Sequence, residues 1–236
     1  MDTRNLWQSA PPILDLEDGE IHLWLASLES TLPKVRLLDL SHPEKQKAKA
    51  ISNESVRTQY LVSRWLTRQL LADYLKAEPA SLFFGFAKNS KPCLLNIDRS
   101  AVKIQFNRSH AGGWLILAVS KADSVGVDIE QIKPRSQMKE IIKRWFEISE
   151  CKHFQSLHKN EREQYFYHCW TQKEAVLKAW GVGLVELTQY PYFAERSWKY
   201  HFKTVSGFAA CVACTDLKPK ILKFYLWNEA NQQAKS

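Results

Sequence analysis

The apolar positions of this chain switch between a period of two and a period near 3.6, and the switches mark where elements begin and end. Residues 21–28 (IHLWLASL) alternate apolar and other side chains, the pattern of a half-buried strand behind a Pro-containing tail. From Ser41 to Leu75 the spacing is helical. Ser41 suits an N-cap, Pro43 is tolerated in the first turn, and Glu44 stands three residues beyond the cap. A break in this helix is expected near Asn53.

A polar stretch, AKNSKPCL, precedes three strand candidates: Val102 to Phe106, Trp114 to Ser120, and SVGVDIE. Met138 to Leu157 and Glu161 to Trp180 read as helices, the second ended by the glycines of GVGL. WKYHFKTVSGFAACVACTD reads as a hairpin turning near Ser206 and Gly207. This order of elements predicts an α+β fold rather than a regular parallel βαβ alternation. If the chain divides into two lobes, the boundary belongs in the polar region from Asn96 to Ser100, giving lobes 1–100 and 101–236.

With 236 residues, 45% of them hydrophobic, the chain can bury a substantial core. No apolar run approaches the roughly 18 residues of a membrane span, and the N-terminus lacks a basic segment followed by an apolar one, so a cytoplasmic protein is expected. Five cysteines, mostly far apart, do not form a disulfide framework. The single CxxC, Cys211 and Cys214, lies in an apolar strand-like run with no second pair at zinc spacing, which favours buried thiols. A net charge of +8 points to an anionic partner without choosing among nucleic acid, a phosphorylated small molecule and an acidic protein.

Four stretches carry candidate chemistry. In SVGVDIE, alternation sends Gly126, Asp128 and Glu130 to one face, with the two carboxylates about 7 Å apart along the strand. That face is either wet or a hard-cation site built from oxygen ligands. In WTQKEAVLKAW, at about 100° per residue, Glu174, Lys178 and Thr171 fall within one narrow polar sector of an otherwise apolar helix. Such a stripe either holds a simple ion pair or lines a cleft. FNRSHAGGW joins two strand candidates through a turn in which Ser109, His110 and backbone amides could meet an anion. In the first helix Arg57, Arg64 and Arg68 lie within about 20° of one line, as a solvated face or a landing site for a phosphorylated ligand.

These pieces, in this order, resemble the Sfp-type 4′-phosphopantetheinyl transferases. VGVDIE is similar to the family's strand signature, WTQKEAVLK to its Trp/Phe-x-x-Lys-Glu-x-x-x-Lys helix, FNRSHAGGW to its Phe-Asn-x-Ser-His segment, and SKP to its Gly-Lys-Pro. Ser90 stands where the family has glycine.

The resemblance implies two similar α/β lobes related by a pseudo-two-fold axis, with the active site between them. It implies transfer of 4′-phosphopantetheine from coenzyme A to a serine of an apo carrier protein, releasing 3′,5′-ADP. It assigns Asp128, Glu130 and Glu174 to Mg²⁺ (or Mn²⁺), Lys178 to the coenzyme pyrophosphate, and Ser109 and His110 to coenzyme phosphates. Lys91 and Pro92 are assigned to the adenine end and Lys47 to the 3′-phosphate. Glu174 is the preferred general base, with Asp128 second. The implied partner is an acidic carrier protein, with no nucleic acid or membrane, and the implied state is a monomer. A magnesium nuclease and a basic nucleic-acid-binding module are the alternatives. The nuclease pattern, however, places one residue between Glu and Lys on a strand, whereas three intervene here on a helix.

Overall fold

The computed structural model describes residues 6–32, 35–87, 91–96, 102–121, 124–189, 192–215, 218–219 and 221–228. Nine strands and eight α-helices stand among them in the mixed order expected of an α+β chain. Strands β1 (Glu20–Ser27), β4 (Ile104–Ala111), β5 (Trp114–Lys121) and β9 (Ile221–Leu226) form one sheet in the order β4-β5-β1-β9. β1 runs antiparallel to β5 and parallel to β9. A second sheet has the order β6-β8-β7, from β6 (Val125–Gln131), β7 (Ser197–His201) and β8 (Phe208–Thr215). β2 (Phe83–Phe86) and β3 (Pro92–Leu95) form a small hairpin where the sequence reads as a polar connection.

The layers follow from which faces are apolar. Trp24, Ala26, Leu115, Leu117 and Val119 pack under Val62, Trp65, Leu66 and Leu70 of α3 (Glu54–Leu75). The opposite face of the same sheet, with Ile21, Leu23, Leu25, Ile116 and Ala118, meets Val125, Val127, Ile129, Ala210, Val212 and Cys214 of the second sheet. The outer face of that sheet is covered by α6 (Lys159–Trp180) through Ala175, Val176, Leu177 and Ala179 against Cys211 and Ala213. The stacking order is thus helix, sheet, sheet, helix. Cys211 and Cys214 point to opposite faces of β8, as a spacing of three on a strand requires, and no disulfide joins the five cysteines.

β1 is buried on both faces rather than half-buried. Its polar residues tolerate this because they are partnered: Glu20 receives Lys223 at 2.9 Å, and His22 lies 3.1 Å from Glu20 and 2.8 Å from the Tyr74 hydroxyl. Burial holds the His22 imidazole below its ordinary value.

The first helical segment breaks where expected, into α2 (His42–Ala50) and α3, with a Ser41–Glu44 capping box and Asn53 capping α3. The segment read as one helix from Met138 is two, α4 (Met138–Trp145) and α5 (Ile148–Ser156), because Glu147 and Glu150 form a fresh capping box. Short helices α1 (Leu28–Thr31), α7 (Leu184–Gln189) and α8 (Tyr192–Glu195) complete the set. The first sheet draws strands from both sides of residue 100, so the boundary expected there does not coincide with a break in that sheet. Among the described residues no helix is long and apolar enough to cross a membrane.

Candidate active site

The site begins with a glycine. Gly126 shares the face of β6 that carries Asp128 and Glu130, and a Cβ there would overlap the Ala175 carbonyl and the Ala179 amide of α6. The two backbones therefore lie in direct contact, as a strand glycine flanked by apolar residues signals. This contact brings the narrow polar edge of α6 down onto the carboxylates. α6 ends immediately afterwards at Gly181, whose φ of 69° makes the left-handed cap and whose amide returns to the Leu177 carbonyl.

Lys178 reaches back along that contact. Its ammonium donates to Asp128 Oδ1 at 2.6 Å, to Ser109 Oγ at 3.1 Å and to the Val127 carbonyl at 3.3 Å. Ser109 donates to the same Asp128 oxygen at 2.8 Å, and Asn107 Oδ1 accepts the Val127 amide at 3.0 Å. Lys178 thus turns to Asp128 and its neighbours rather than to Glu174, and its side chain, 27% exposed, also lines the cleft described below, so the stripe is a cleft edge rather than a simple ion pair. Asp128 itself is only 3% exposed, so its face of β6 is covered by α6 and is not wet.

Three carboxylates sit within one another's fields. Burial holds Asp128 above the usual carboxylate range, and Lys178 opposes the effect. Glu130 is raised first by burial and then by Asp128, against Arg135 and a hydrogen bond from Trp170. Glu174 is raised by burial and by Asp128, with Lys178 pulling the other way.

Asp128 Oδ2 is buried with no hydrogen-bond partner, the mark of a ligand atom left for something else. Among the described residues no set of three or more His, Cys, Asp or Glu is arranged to hold a metal ion by itself. The donors fit a hard cation that takes only part of its oxygen shell from protein. A cleft of about 750 Å³ opens beside them, lined by Glu174, Leu177, Lys178, Asn107, Pro92, Lys91 and the Gly181–Leu184 turn.

Several sequence expectations change. FNRSHAGGW is not a turn from its start: β4 continues to Ala111 and only Gly112 and Gly113, with φ of 51° and 81°, make the bend. Ser109 and His110 therefore face opposite ways from a strand paired to β5, and their amides are not gathered for an anion. Ser109 joins the carboxylates, while His110 is exposed beside Arg108 on the side of α3. Thr171 is fully buried and donates to the Tyr167 carbonyl at 2.9 Å, so it is no part of the polar edge. Lys91 is buried, its ammonium donating to Ser124 Oγ, the Val125 carbonyl and the Ala179 carbonyl at 2.7, 2.8 and 3.2 Å. Pro92 does border the cleft, and Ser90 lies outside the described residues.

The arginine line is split by its partners. Arg68 is locked to Glu44 at 2.8 Å and to the Pro79 and Leu82 carbonyls, a strut rather than a landing site. Arg57 reaches the Ile51 carbonyl. Arg64 stays available at a cationic patch: it lies over the Tyr60 ring at 5.3 Å, as exposed Lys47 does at 5.8 Å, and its Nε is buried with no partner. Arg108, which the sequence reading passed over, donates to Thr67 Oγ1 at 3.0 Å, and burial together with Arg64 pushes it down to about 9. An arginine on an otherwise polar strand gave no signal that it would turn under a helix.

Comparison with known proteins places this arrangement. A family model described as the 4′-phosphopantetheinyl transferase superfamily matches residues 124–214, and one described as 4′-phosphopantetheinyl transferase, N-terminal, matches residues 23–122. The 4′-phosphopantetheinyl transferase HetI of Nostoc is 32% identical over 191 residues, covering 79% of each chain. The 4′-phosphopantetheinyl transferase Sfp of Bacillus subtilis is 31% identical over 150 residues, 63% of this chain and 64% of its own. The 4′-phosphopantetheinyl transferase AcpT of Escherichia coli is 28% identical over 130 residues, 53% of this chain and 64% of its own. With the N-terminal model running from within β1 to just past β5 and the superfamily model spanning β6 through α6 to β8, this chain belongs to the 4′-phosphopantetheinyl transferase family.

Proposed function

We propose that this enzyme transfers 4′-phosphopantetheine from coenzyme A to a serine hydroxyl of an apo carrier protein, releasing 3′,5′-ADP. The observation that carries the reading is that Glu174 and Lys178 line one cleft while Lys178 bonds Asp128, whose charge with that of Glu130 acts on Glu174, and that a cationic patch of Lys47 and Arg64 stands on α2 and α3. The coenzyme's two charged ends need two such places.

In this reading Lys178 and Asn107 line the cleft that takes the pyrophosphate, and Pro92 borders its nucleotide end. Lys47, over the same Tyr60 ring as Arg64, meets the 3′-phosphate, His110 meets a coenzyme phosphate, and Ser109 keeps Asp128 oriented for the pyrophosphate end. Asp128 Oδ2, Glu130 and Glu174 hold Mg²⁺, or Mn²⁺ in its place. The ion supplies neutralisation of charge spread over the phosphoryl oxygens.

The carrier serine oxygen forms its bond to the β-phosphorus while the bridging bond to the α-phosphate breaks and 3′,5′-ADP leaves. Glu174 receives the serine proton. It lines the cleft that the hydroxyl must enter, and Lys178 stabilises the phosphoryl charge as it moves. Asp128, already bonded to Lys178 and Ser109, is the weaker candidate.

The net charge of +8 favours an acidic carrier surface, whose approach would weaken with salt. α3 and α6, each of 22 residues and each covering the outer face of its own sheet, support two similar lobes with the site between them. Cysteines without disulfides suit a reducing cytoplasm, and the reading takes the enzyme as a monomer there. The nuclease and nucleic-acid-binding alternatives are not favoured by the family to which the chain belongs. Incubation with coenzyme A, Mg²⁺ and a panel of apo carrier proteins tests the function by intact mass. Addition of one phosphopantetheinyl group is expected, and no addition to any carrier type overturns it.

A further inference from the structure

We propose that Lys91 is a positioning residue for the transfer, its ammonium fastening the C-terminal end of α6 to the start of β6 so that Lys178 and Glu174 stay seated against Asp128. The inference rests on the function proposed above and departs from the coenzyme contact that the sequence resemblance gives this lysine.

An ammonium has three protons and no acceptor capacity. All three are spoken for here: Ser124 Oγ at 2.7 Å, the Val125 carbonyl at 2.8 Å and the Ala179 carbonyl at 3.2 Å. None is left for a nucleotide, although the residue's outer surface borders the cleft. Ser124 Oγ, having accepted from Lys91, donates onward to the Ala179 carbonyl at 2.6 Å and closes a triangle.

Two of the three acceptors locate the strut. Ala179 follows Lys178 directly and offers one of the last carbonyls of α6, where a cation is favoured by the helix dipole and answers an acceptor with no partner inside the helix. Val125 opens β6 and precedes Gly126, at which strand and helix backbones touch. At Gly126 no strand side chain interlocks with α6, so a slide of the helix along β6 is opposed by the Lys178 bonds and by apolar contacts with β8. Lys91 pins that slide at the end nearest Lys178. Its own carbonyl accepts the Ala87 amide at 2.8 Å, so the pin is anchored in the β2–β3 hairpin, a part of the chain remote in sequence from α6.

A buried ammonium is costly, and burial pushes this one down to about 8. An apolar side chain would fill the space without that cost but would not fix the relative position of three particular oxygen atoms.

The test replaces Lys91 with methionine in the full chain and assays transfer from coenzyme A to an apo carrier beside the wild type. Active sites are counted by calorimetric titration with coenzyme A. Expected is a fall in kcat per counted site of about 10²-fold, the scale of a misplacement of about 1 Å, with coenzyme A affinity held within about threefold. A loss of coenzyme A affinity beyond about tenfold with kcat retained restores the coenzyme contact and overturns the proposal. An unchanged kcat per site overturns it as well. If Lys91→Met does not fold, Ser124→Ala, which keeps the lysine but opens the triangle, decides: a lower kcat at unchanged KM for coenzyme A supports the strut, and an unchanged kcat refutes it. A wild type that transfers nothing to any carrier fails the proposed function instead, so the two failures are read separately.

Discussion

Lys178 and Asp128 meet at 2.6 Å across the contact between α6 and β6, and they leave the second carboxylate oxygen of Asp128 buried and bonded to nothing. An orphaned acceptor costs about 1–3 kcal/mol, so the pair is better understood as half of a site than as a finished ion pair. Burial holds Asp128, and burial with repulsion from Asp128 holds Glu130 and Glu174, above the usual carboxylate range. Folded chains therefore bind protons at these groups more readily than unfolded ones. Their contribution to stability falls as pH rises from the ordinary carboxylate value through the raised ones. A divalent cation competes with protons for the same oxygens and returns the lost stability. Mg²⁺ is accordingly expected to raise Tm more at about pH 7 than at about pH 5, measured by melts against monovalent salt of equal ionic strength. Equal shifts at both values, or none, would remove the metal from these carboxylates.

Glu174→Gln separates chemistry from folding. Removing the base is expected to lower transfer by about 10²–10⁴-fold. The same change takes one negative charge away from Asp128 and Glu130, so Tm of the metal-free protein should hold or rise. Activity by carrier mass shift and stability by thermal melt together check the prediction. An active variant would pass the role of base to another group, and a large drop in Tm would show that the carboxylate serves the fold.

Where a pattern was local, the sequence disclosed it. The Ser41–Glu44 box, the alternation of SVGVDIE and the narrow polar edge of α6 each depend on residues a few positions apart, and each is present. What escaped depends on partners far along the chain. β9 pairs with β1 in parallel across almost the whole sequence, and no short window registers that. A helical wheel places Arg64 and Arg68 together, but only the fold gives Arg68 to Glu44 and leaves Arg64 at the patch. β4 was cut short because both of its faces carry polar groups with work to do, Asn107 and Ser109 on one side and Arg108 on the other. No apolar alternation remained to count. Lys91 does line the cleft beside Pro92, but a motif gives a residue's address and not the direction of its side chain, and its ammonium points to Ser124, Val125 and Ala179.

Gly126→Ala tests whether the backbone contact is what assembles the site. The added methyl meets the Ala175 carbonyl and Ala179 amide, neither of which can rotate away. Overpacking of this kind costs about 1–3 kcal/mol, and in a chain of this size each kcal/mol lowers Tm by about 2–4 °C. Because α6 must lift from β6, kcat per folded molecule should fall too. Gly207→Ala is the contrast: its φ of 81° makes alanine strained, yet nothing lies within 4 Å of the added carbon and the turn carries no site residue. It should lose stability while keeping kcat. A Gly126 variant with lowered Tm and full kcat per folded molecule would mean the helix can shift without disturbing the chemistry.

The cationic patch makes its own demand. Arg64 has a buried Nε with no partner, and it lies close enough to Arg108 to help push that guanidinium down to about 9. Two guanidiniums held in each other's field, with Lys47 over the same Tyr60 ring, are relieved by an anion that accepts from them. If that anion is the 3′-phosphate, Arg64→Ala and Lys47→Ala should each raise KM for coenzyme A by about tenfold, the worth of one charge-assisted hydrogen bond. Neither should change KM for 3′-dephospho-coenzyme A, and kcat should hold, because the patch lies apart from the groups that move the proton and the phosphoryl charge. The wild type should prefer coenzyme A over the dephosphorylated form by a margin that shrinks in both variants. Parallel losses with the two substrates would assign Arg64 and Lys47 to the pyrophosphate or the carrier instead, and an unchanged preference would leave the 3′-phosphate to residues elsewhere on the cleft.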